Sequence, residues 1–128
     1  MINLDELENR KIIDSSAGHG SIFSLYLEGS LSIFVGSAPW IFSETERVCS
    51  WQKQPKIITD FLFKLKGKVI QCAFMNDASL TIEFDNGLKF IALSSEKFEN
   101  SWTVILSSVS LSLGSDGLIK SREREKKA

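Results

Sequence analysis

One stretch of alternating side chains constrains the fold of this chain most. Within residues 79–90, apolar Leu80, Ile82 and Phe84 alternate with polar residues, which is typical of a strand with one buried face. Asn86-Gly87 follows, and this pair tolerates the positive φ values of a tight hairpin turn. Beyond this pair, apolar residues again occupy every second position. The stretch therefore predicts a β-hairpin that turns one face toward a core.

A similar six-residue segment, which we call the repeated segment, occurs earlier in the chain. Residues 30–35 read Ser-Leu-Ser-Ile-Phe-Val, and residues 79–84 read Ser-Leu-Thr-Ile-Glu-Phe. We therefore expect two related β-meanders. The predicted strands are 21–28, 30–36 and 40–42 in the first meander, with 40–42 at an edge, and 68–75, 79–85 and 88–94 in the second, followed by 102–107, 109–113 and 118–119.

Helical spacing appears after Pro55, where apolar residues recur every three or four positions. Proline is accepted at the first helical position, and Gly67 stands where a C-cap glycine belongs. The pattern predicts a helix over 55–66 lying across the sheet, with Ile57, Ile58, Phe61, Leu62 and Leu65 on its apolar face. A shorter helix is expected over 3–12, and residues 43–54 are expected to link the two halves.

These elements together predict the α+β class. The expected architecture is mostly antiparallel β, with two related β-meanders forming a twisted sheet or half-barrel and one central helix packed on it. The length of 128 residues suits one domain, which we assign to residues 1–119. Residues 120–128 hold five basic and two acidic residues, and we expect them to form a disordered basic tail.

Charge and composition narrow the function classes. Residues 1–119 hold ten of the fifteen basic and fourteen of the sixteen acidic residues, a net charge of −4. A nucleic-acid partner would favour a basic folded face, so we do not expect one. No apolar run approaches the roughly 20 residues that span a membrane, and the acidic start is unlike a signal peptide. We expect a cytoplasmic protein without a membrane partner.

Catalytic and metal-binding motifs are not evident. Cys49 and Cys72 are expected to be reduced, and His19 is the one histidine, so the sequence predicts neither a zinc site nor another cofactor. It contains no phosphate loop and no nucleophile elbow. The segment around His19 is interpreted as a connector, and Glu83 and Asp85 as a solvated hairpin surface. The chain is therefore not expected to be an enzyme.

From the helix onward the chain resembles a family of short bacterial domains that look like immunity proteins of polymorphic-toxin and contact-dependent inhibition systems. The resemblance covers about residues 60–104 and rests on five motifs: Leu65-Lys-Gly67-Lys-Val69, Leu80-Thr-Ile-Glu-Phe84, Asp85-Asn-Gly87, Leu88-Lys-Phe90, and Phe98-Glu99-Asn-Ser-Trp102. The last motif departs from the family pattern, with Phe98 in place of a Tyr and one extra residue before Trp102.

The resemblance implies a cytoplasmic protein that binds and occludes one cognate toxin domain. An acidic face would suit a basic nuclease toxin. The expected partner-binding residues are Trp40, Glu44, Glu46, Trp51, Glu83 and Asp85. Two alternatives stay open: a non-catalytic β scaffold or homo-oligomerisation domain paired through strand edges, and an enzyme with a cleft near His19 or Glu99 and Trp102. The chain alone is expected to be a monomer or a weak homodimer.

Overall fold

The computed structural model describes residues 2–18, 22–36, 40–44, 47–50, 55–76, 79–92, 102–113 and 119–123. The α+β expectation is confirmed: these residues form antiparallel strands and one α-helix, in two sheets that are not closed barrels. Sequence predictions for the remaining positions, including the loop over 95–101 and the turn over 114–117, lie outside the described residues.

Each sheet has six strands. The strands are β1 (Ile2–Asn3), β2 (Ile12–Ala17), β3 (Phe23–Leu27), β4 (Leu31–Val35), β5 (Trp40–Glu44), β6 (Arg47–Ser50), β7 (Ile70–Asn76), β8 (Ser79–Phe84), β9 (Lys89–Ala92), β10 (Trp102–Ile105), β11 (Val109–Leu113) and β12 (Ile119–Glu123). Sheet one has the order β1-β7-β8-β9-β5-β6, and sheet two has the order β12-β11-β10-β4-β3-β2. Residues 43–54 are therefore not simply a linker, since β5 extends to Glu44 and β6 follows.

The two copies of the repeated segment form β4 and β8, and each is an internal strand of a different sheet. Leu31, Ile33 and Val35 of β4 are buried in the core, as predicted, and so are the alternating apolar residues of β8, whereas Phe34 of β4 is exposed. The first meander is not preserved, however. Strand β5 leaves sheet two and pairs with β9 and β6 in sheet one, so it is not an edge strand. Strand β10 pairs with β4 instead.

One aromatic cluster joins the sheets. The Phe23 ring of sheet two lies 4.9 Å from the Trp40 ring of sheet one, with an edge-to-face orientation. The same Phe23 ring lies 5.9 Å from the rings of Phe42 and Phe90. Aromatic pairs at these separations stabilise a core beyond their buried area. The sheets therefore face each other across a shared hydrophobic core.

The predicted helix is confirmed as α1 (Pro55–Phe63), but it lies against β2 and β6, edge strands of the two sheets, rather than across one sheet. Ile58 and Leu62 are buried, and the half-buried Phe61 ring lies 5.0 Å from Phe42. Ile57 does not belong to the buried face, since its side chain is 48% exposed.

The predicted helix over 3–12 is wrong. Only a single 3-10 turn forms, at Asp5–Leu7, because the surrounding backbone pairs with β7 instead of with itself. The Leu4 amide donates to the Ala73 carbonyl at 2.9 Å, and the Asn9 amide donates to the Ile70 carbonyl at 2.7 Å. This segment, together with the Lys11–Val69 bridge, links sheet one to the start of β2 in sheet two.

The predicted turn glycines are confirmed, but the prediction for the C-terminal tail is only partly testable. Gly67 has φ +93° and donates its amide to the Ile12 carbonyl, and Gly87 has φ +79°, so both adopt the conformation that glycine favours. Gly87 closes a three-residue 3-10 turn rather than a two-residue turn. Disorder was wrongly expected for residues 120–123, which belong to β12; residues 124–128 lie outside the described part.

Candidate binding surface

An apolar row crosses the outer face of sheet one. The strand register pairs Phe74 with Thr81, Thr81 with Ile91, and Ile91 with Ile41. Directly paired residues of antiparallel strands share a face, so these four side chains lie side by side across β7, β8, β9 and β5. Thr81 is buried, and the three apolar side chains are half-buried. We call these four residues the apolar row.

Polar side chains form the neighbouring row of the same face. Cys72 pairs with Glu83, and Glu83 pairs with Lys89. The Lys89 Nζ atom lies 3.9 Å from Glu83 Oε1. Both side chains are well exposed, and an ion pair of this kind contributes at most about 1 kcal/mol. Glu83 therefore remains accessible to a partner while it contributes little to the free energy of folding.

Three carboxylates act electrostatically on Cys72. Burial raises the pKa of the Cys72 thiol, and the charges of Glu83, Glu8 and Asp5 raise it further, in that order, because negative charge opposes formation of the thiolate. Asp5 and Glu8 reach this place because the 3-10 turn runs along β7.

These features together define one surface, which we call the acidic–apolar face. It consists of the apolar row with Cys72, Asp5, Glu8 and the Glu83–Lys89 ion pair, so carboxylates exceed cations among these residues. Among the residues expected to bind a partner, Glu83 is the one that the structure places here. The sequence interpretation missed the other members, although alternation already placed Phe74 and Ile91 on the face opposite to their buried neighbours. The approach of Asp5 and Glu8 carried no local sequence signal.

Trp40 must be removed from the expected partner-binding set. Its side chain is only 1% exposed, and its ring packs on Phe23, Phe42 and Phe90 within the core. The apolar alternation around Trp40 indicated a strand but could not show that both of its neighbouring strands belong to sheet one. A tryptophan in this position stabilises the core and offers no surface to a partner.

Asp85 has a structural role. Its Oδ1 atom accepts a hydrogen bond from the Val69 amide at 3.1 Å, and its own amide donates to the Val69 carbonyl at 2.9 Å. The half-buried carboxylate therefore ties the β8–β9 turn to the connection that precedes β7. Glu44 ends β5, with its side chain outside the described part, and Glu46 and Trp51 also lie outside the described residues.

The alternative sites can be placed only in part. His19 and Glu99 lie outside the described residues, and Trp102 is buried in the core. The described residues contain no group of three or more potential metal ligands. In the same part of the chain, no helix is long and apolar enough to cross a membrane. No protein-family model, curated protein or solved structure matches this chain.

Proposed function

We propose that this chain is a cytoplasmic immunity protein that binds one cognate bacterial toxin domain and neutralises it by occlusion, without catalysis of its own. The observation that carries the proposal is the acidic–apolar face of sheet one. It combines an apolar row with carboxylates at its side, as protein interfaces combine an apolar centre with a polar rim.

The chemistry of this face suits a basic protein partner. Covering the half-exposed Phe74, Ile91 and Ile41 removes apolar surface from water, which stabilises a complex by roughly 25 cal/mol per Å². The carboxylates of Asp5, Glu8 and Glu83 attract a positively charged partner and accelerate its association. A nuclease toxin, whose site must hold phosphate groups, is one partner class with the required charge.

The resemblance to immunity proteins supports the same assignment. Two of its motifs, Leu80–Phe84 and Leu88–Phe90, provide most of β8 and half of β9, which are adjacent strands of sheet one. Thr81, Glu83 and Lys89, which lie within these motifs, all belong to the outer face. The resemblance thus includes two strands of the proposed surface, whereas Ile41, Asp5 and Glu8 lie outside it.

Co-expression with the toxin domain encoded beside this gene tests the proposal. The parent protein should keep the cells alive. Glu8→Lys should reduce protection, because it places a positive charge on the acidic–apolar face. Asp60→Lys is the matched control, since it makes the same charge change at an exposed position of α1, and it should protect fully. Cell death despite abundant, folded parent protein would contradict the proposal.

A further inference from the structure

The outer face of sheet two differs in character from that of sheet one. The strand register places its outward side chains in two rows that each cross all six strands. In strand order from β12 to β2, the first row is Lys120, Ser112, Thr103, Phe34, Ser24 and Ser16, and the second is Arg122, Ser110, Ile105, Ser32, Tyr26 and Asp14. We call this surface the hydroxyl–aromatic face, because six of its twelve side chains are Ser or Thr.

Two aromatic side chains stand out on this face. Tyr26 is 41% exposed and Phe34 is 37% exposed. Tyr26 pairs with Ser32, two residues before Phe34, so the two rings occupy diagonal positions roughly 7–8 Å apart. The Tyr26 hydroxyl lies 3.2 Å from Ser16 Oγ, which orients the ring. Ile105, half-buried on β10, extends the apolar centre.

The charges lie at opposite ends of the face. Lys120 and Arg122 are exposed on the edge strand β12, and Asp14 is exposed on the edge strand β2. Asp14 Oδ1 accepts a hydrogen bond from the Ser15 amide at 2.8 Å, which holds the carboxylate at this edge. Five inter-strand spacings separate the two ends, or roughly 24 Å. The eight positions between the ends of the rows, and Ser16 beside Asp14, are uncharged.

We propose that a second copy of this chain packs on the hydroxyl–aromatic face, related by a two-fold axis parallel to the strands. Such an axis turns the second sheet over and lays its β2 above β12 of the first copy. In a two-fold interface, each contact occurs twice with the partners exchanged. A row with opposite charges at its two ends is therefore complementary to itself.

The register defines the contacts of this dimer. Arg122 of each copy meets Asp14 of the other copy, so the interface has two such ion pairs at its rim. Phe34 faces Thr103 of the opposite copy, and Ile105 faces Ser32, so both apolar side chains lie on the two central strands near the axis. Tyr26 covers Ser110 of the opposite copy. Face-to-face sheets lie about 10 Å apart, a spacing that side chains of this size can fill.

The dimer is expected to be weak. Each face measures roughly 24 Å by roughly 17 Å if five residues of each strand take part, or about 400 Å² per copy, and stable interfaces bury about 800 Å² per partner. The rim ion pairs also make the association sensitive to salt. The acidic–apolar face remains on the outside of the dimer, so self-association and toxin binding are separate properties.

Sedimentation velocity on the purified chain tests the inference directly. From about 10 µM to about 500 µM, a range that reports weak association, the parent should shift from one chain toward two, and less so at high salt. Phe34→Ser should keep the protein monomeric across this range. Phe63→Ser is the matched control, because Phe63 is 77% exposed on α1, outside the face, and it should leave self-association unchanged.

Charge exchange tests the geometry of the dimer. Asp14→Arg alone and Arg122→Asp alone should each weaken dimerisation several-fold, since each places like charges opposite one another at both ends. The double variant exchanges the charges and should restore the parent affinity. Lys66→Glu, at an exposed position of the connector after α1, makes a charge change as large as that of Arg122→Asp and should have no effect.

Three outcomes would overturn the inference. The first is a parent that stays monomeric over the whole range. The second is a dimer that forms equally well with Phe34→Ser, which would indicate association through strand edges or another surface. The third is a double charge variant that stays as weak as its single variants. A folded Phe34→Ser variant that also fails to protect cells from the toxin would assign this face to the toxin instead.

Discussion

Each sheet contains one copy of the repeated segment, and the two copies differ in their outward-facing side chains. Strands β4 and β8 each direct three alternating apolar residues into one core, Leu31, Ile33 and Val35 in β4 and Leu80, Ile82 and Phe84 in β8. Their outward residues diverge: β4 presents exposed Phe34, whereas β8 presents Glu83 beside Lys89. The inward positions determine how the chain folds, and the outward positions determine what each sheet can bind. Two segments with the same pattern of buried apolar residues can therefore present different side chains on their outer faces.

The largest expected effect lies where the sheets meet. Phe42→Ala should lower the free energy of unfolding by about 3–5 kcal/mol, because its buried ring contacts Phe23 of sheet two and Trp40, Phe61 and Phe90. Phe61→Ala should also lower the melting temperature, but by less, because Phe61 is half-buried. Chemical denaturation measures both changes. Equal losses for the two variants would show that Phe42 is not the centre of the cluster.

A matched pair of substitutions compares the two copies of the repeated segment. Ile33 in β4 and Ile82 in β8 are both fully buried, so Ile33→Ala and Ile82→Ala should each cost about 2–5 kcal/mol. Both variants should unfold in one cooperative transition, because the sheets share a core. Two separate transitions on calorimetry, or a loss confined to one variant, would mean that the sheets fold independently.

The two hairpin turns provide a smaller contrast. Gly29 and Gly87 have φ of +83° and +79°, so valine at either position is strained by about 1–3 kcal/mol. A Cβ atom at Gly29 would also lie 2.7 Å from Arg10 Nη1, whereas no atom lies within 4 Å at Gly87. The Arg10 guanidinium is the far end of a flexible side chain and can move aside, so Gly29→Val should destabilise the protein only slightly more than Gly87→Val in thermal melts. The reverse order would contradict this interpretation of the turns.

The smallest expected effect is electrostatic. It concerns the reactivity of the Cys72 thiol on the acidic–apolar face rather than the stability of the protein. Glu83→Gln should lower the pKa of Cys72, because it removes the carboxylate with the largest effect on the thiol. A lower pKa means more thiolate, so alkylation in mildly alkaline buffer should accelerate. Cys72→Ser is the control, since Cys49 is buried. Unchanged alkylation rates would show that Glu83 does not act on Cys72.

The sequence predicted local structure well, because local structure depends on periodicity. The alternation around Leu80 and the spacing after Pro55 identified β8 and α1, and glycine identified the positive φ at positions 67 and 87. Pairing partners were harder to predict. Nothing in the residues around Trp40 indicates that β5 joins sheet one, because periodicity reports which side chains share a face and not which strand lies beside them.

The candidate surfaces were predicted less well for the same reason. Glu83 was identified from its outward position in β8, but Asp5 and Glu8 approach Cys72 only because the N-terminal segment pairs with β7. The expected helix over 3–12 would have placed these carboxylates elsewhere. The sequence predicts a surface acid at Asp85, but the amide of Val69, sixteen residues away, donates a hydrogen bond to its carboxylate.

We propose that the two outer faces of the protein serve different partners. Calorimetric titration with a catalytically inactive form of the adjacent toxin domain tests it most directly, using the parent, Glu8→Lys and Phe34→Ser at concentrations where the parent is monomeric. Glu8→Lys should bind several-fold more weakly than the parent, whereas Phe34→Ser should bind like the parent. Loss of binding in Phe34→Ser together with parent-like binding in Glu8→Lys would contradict it.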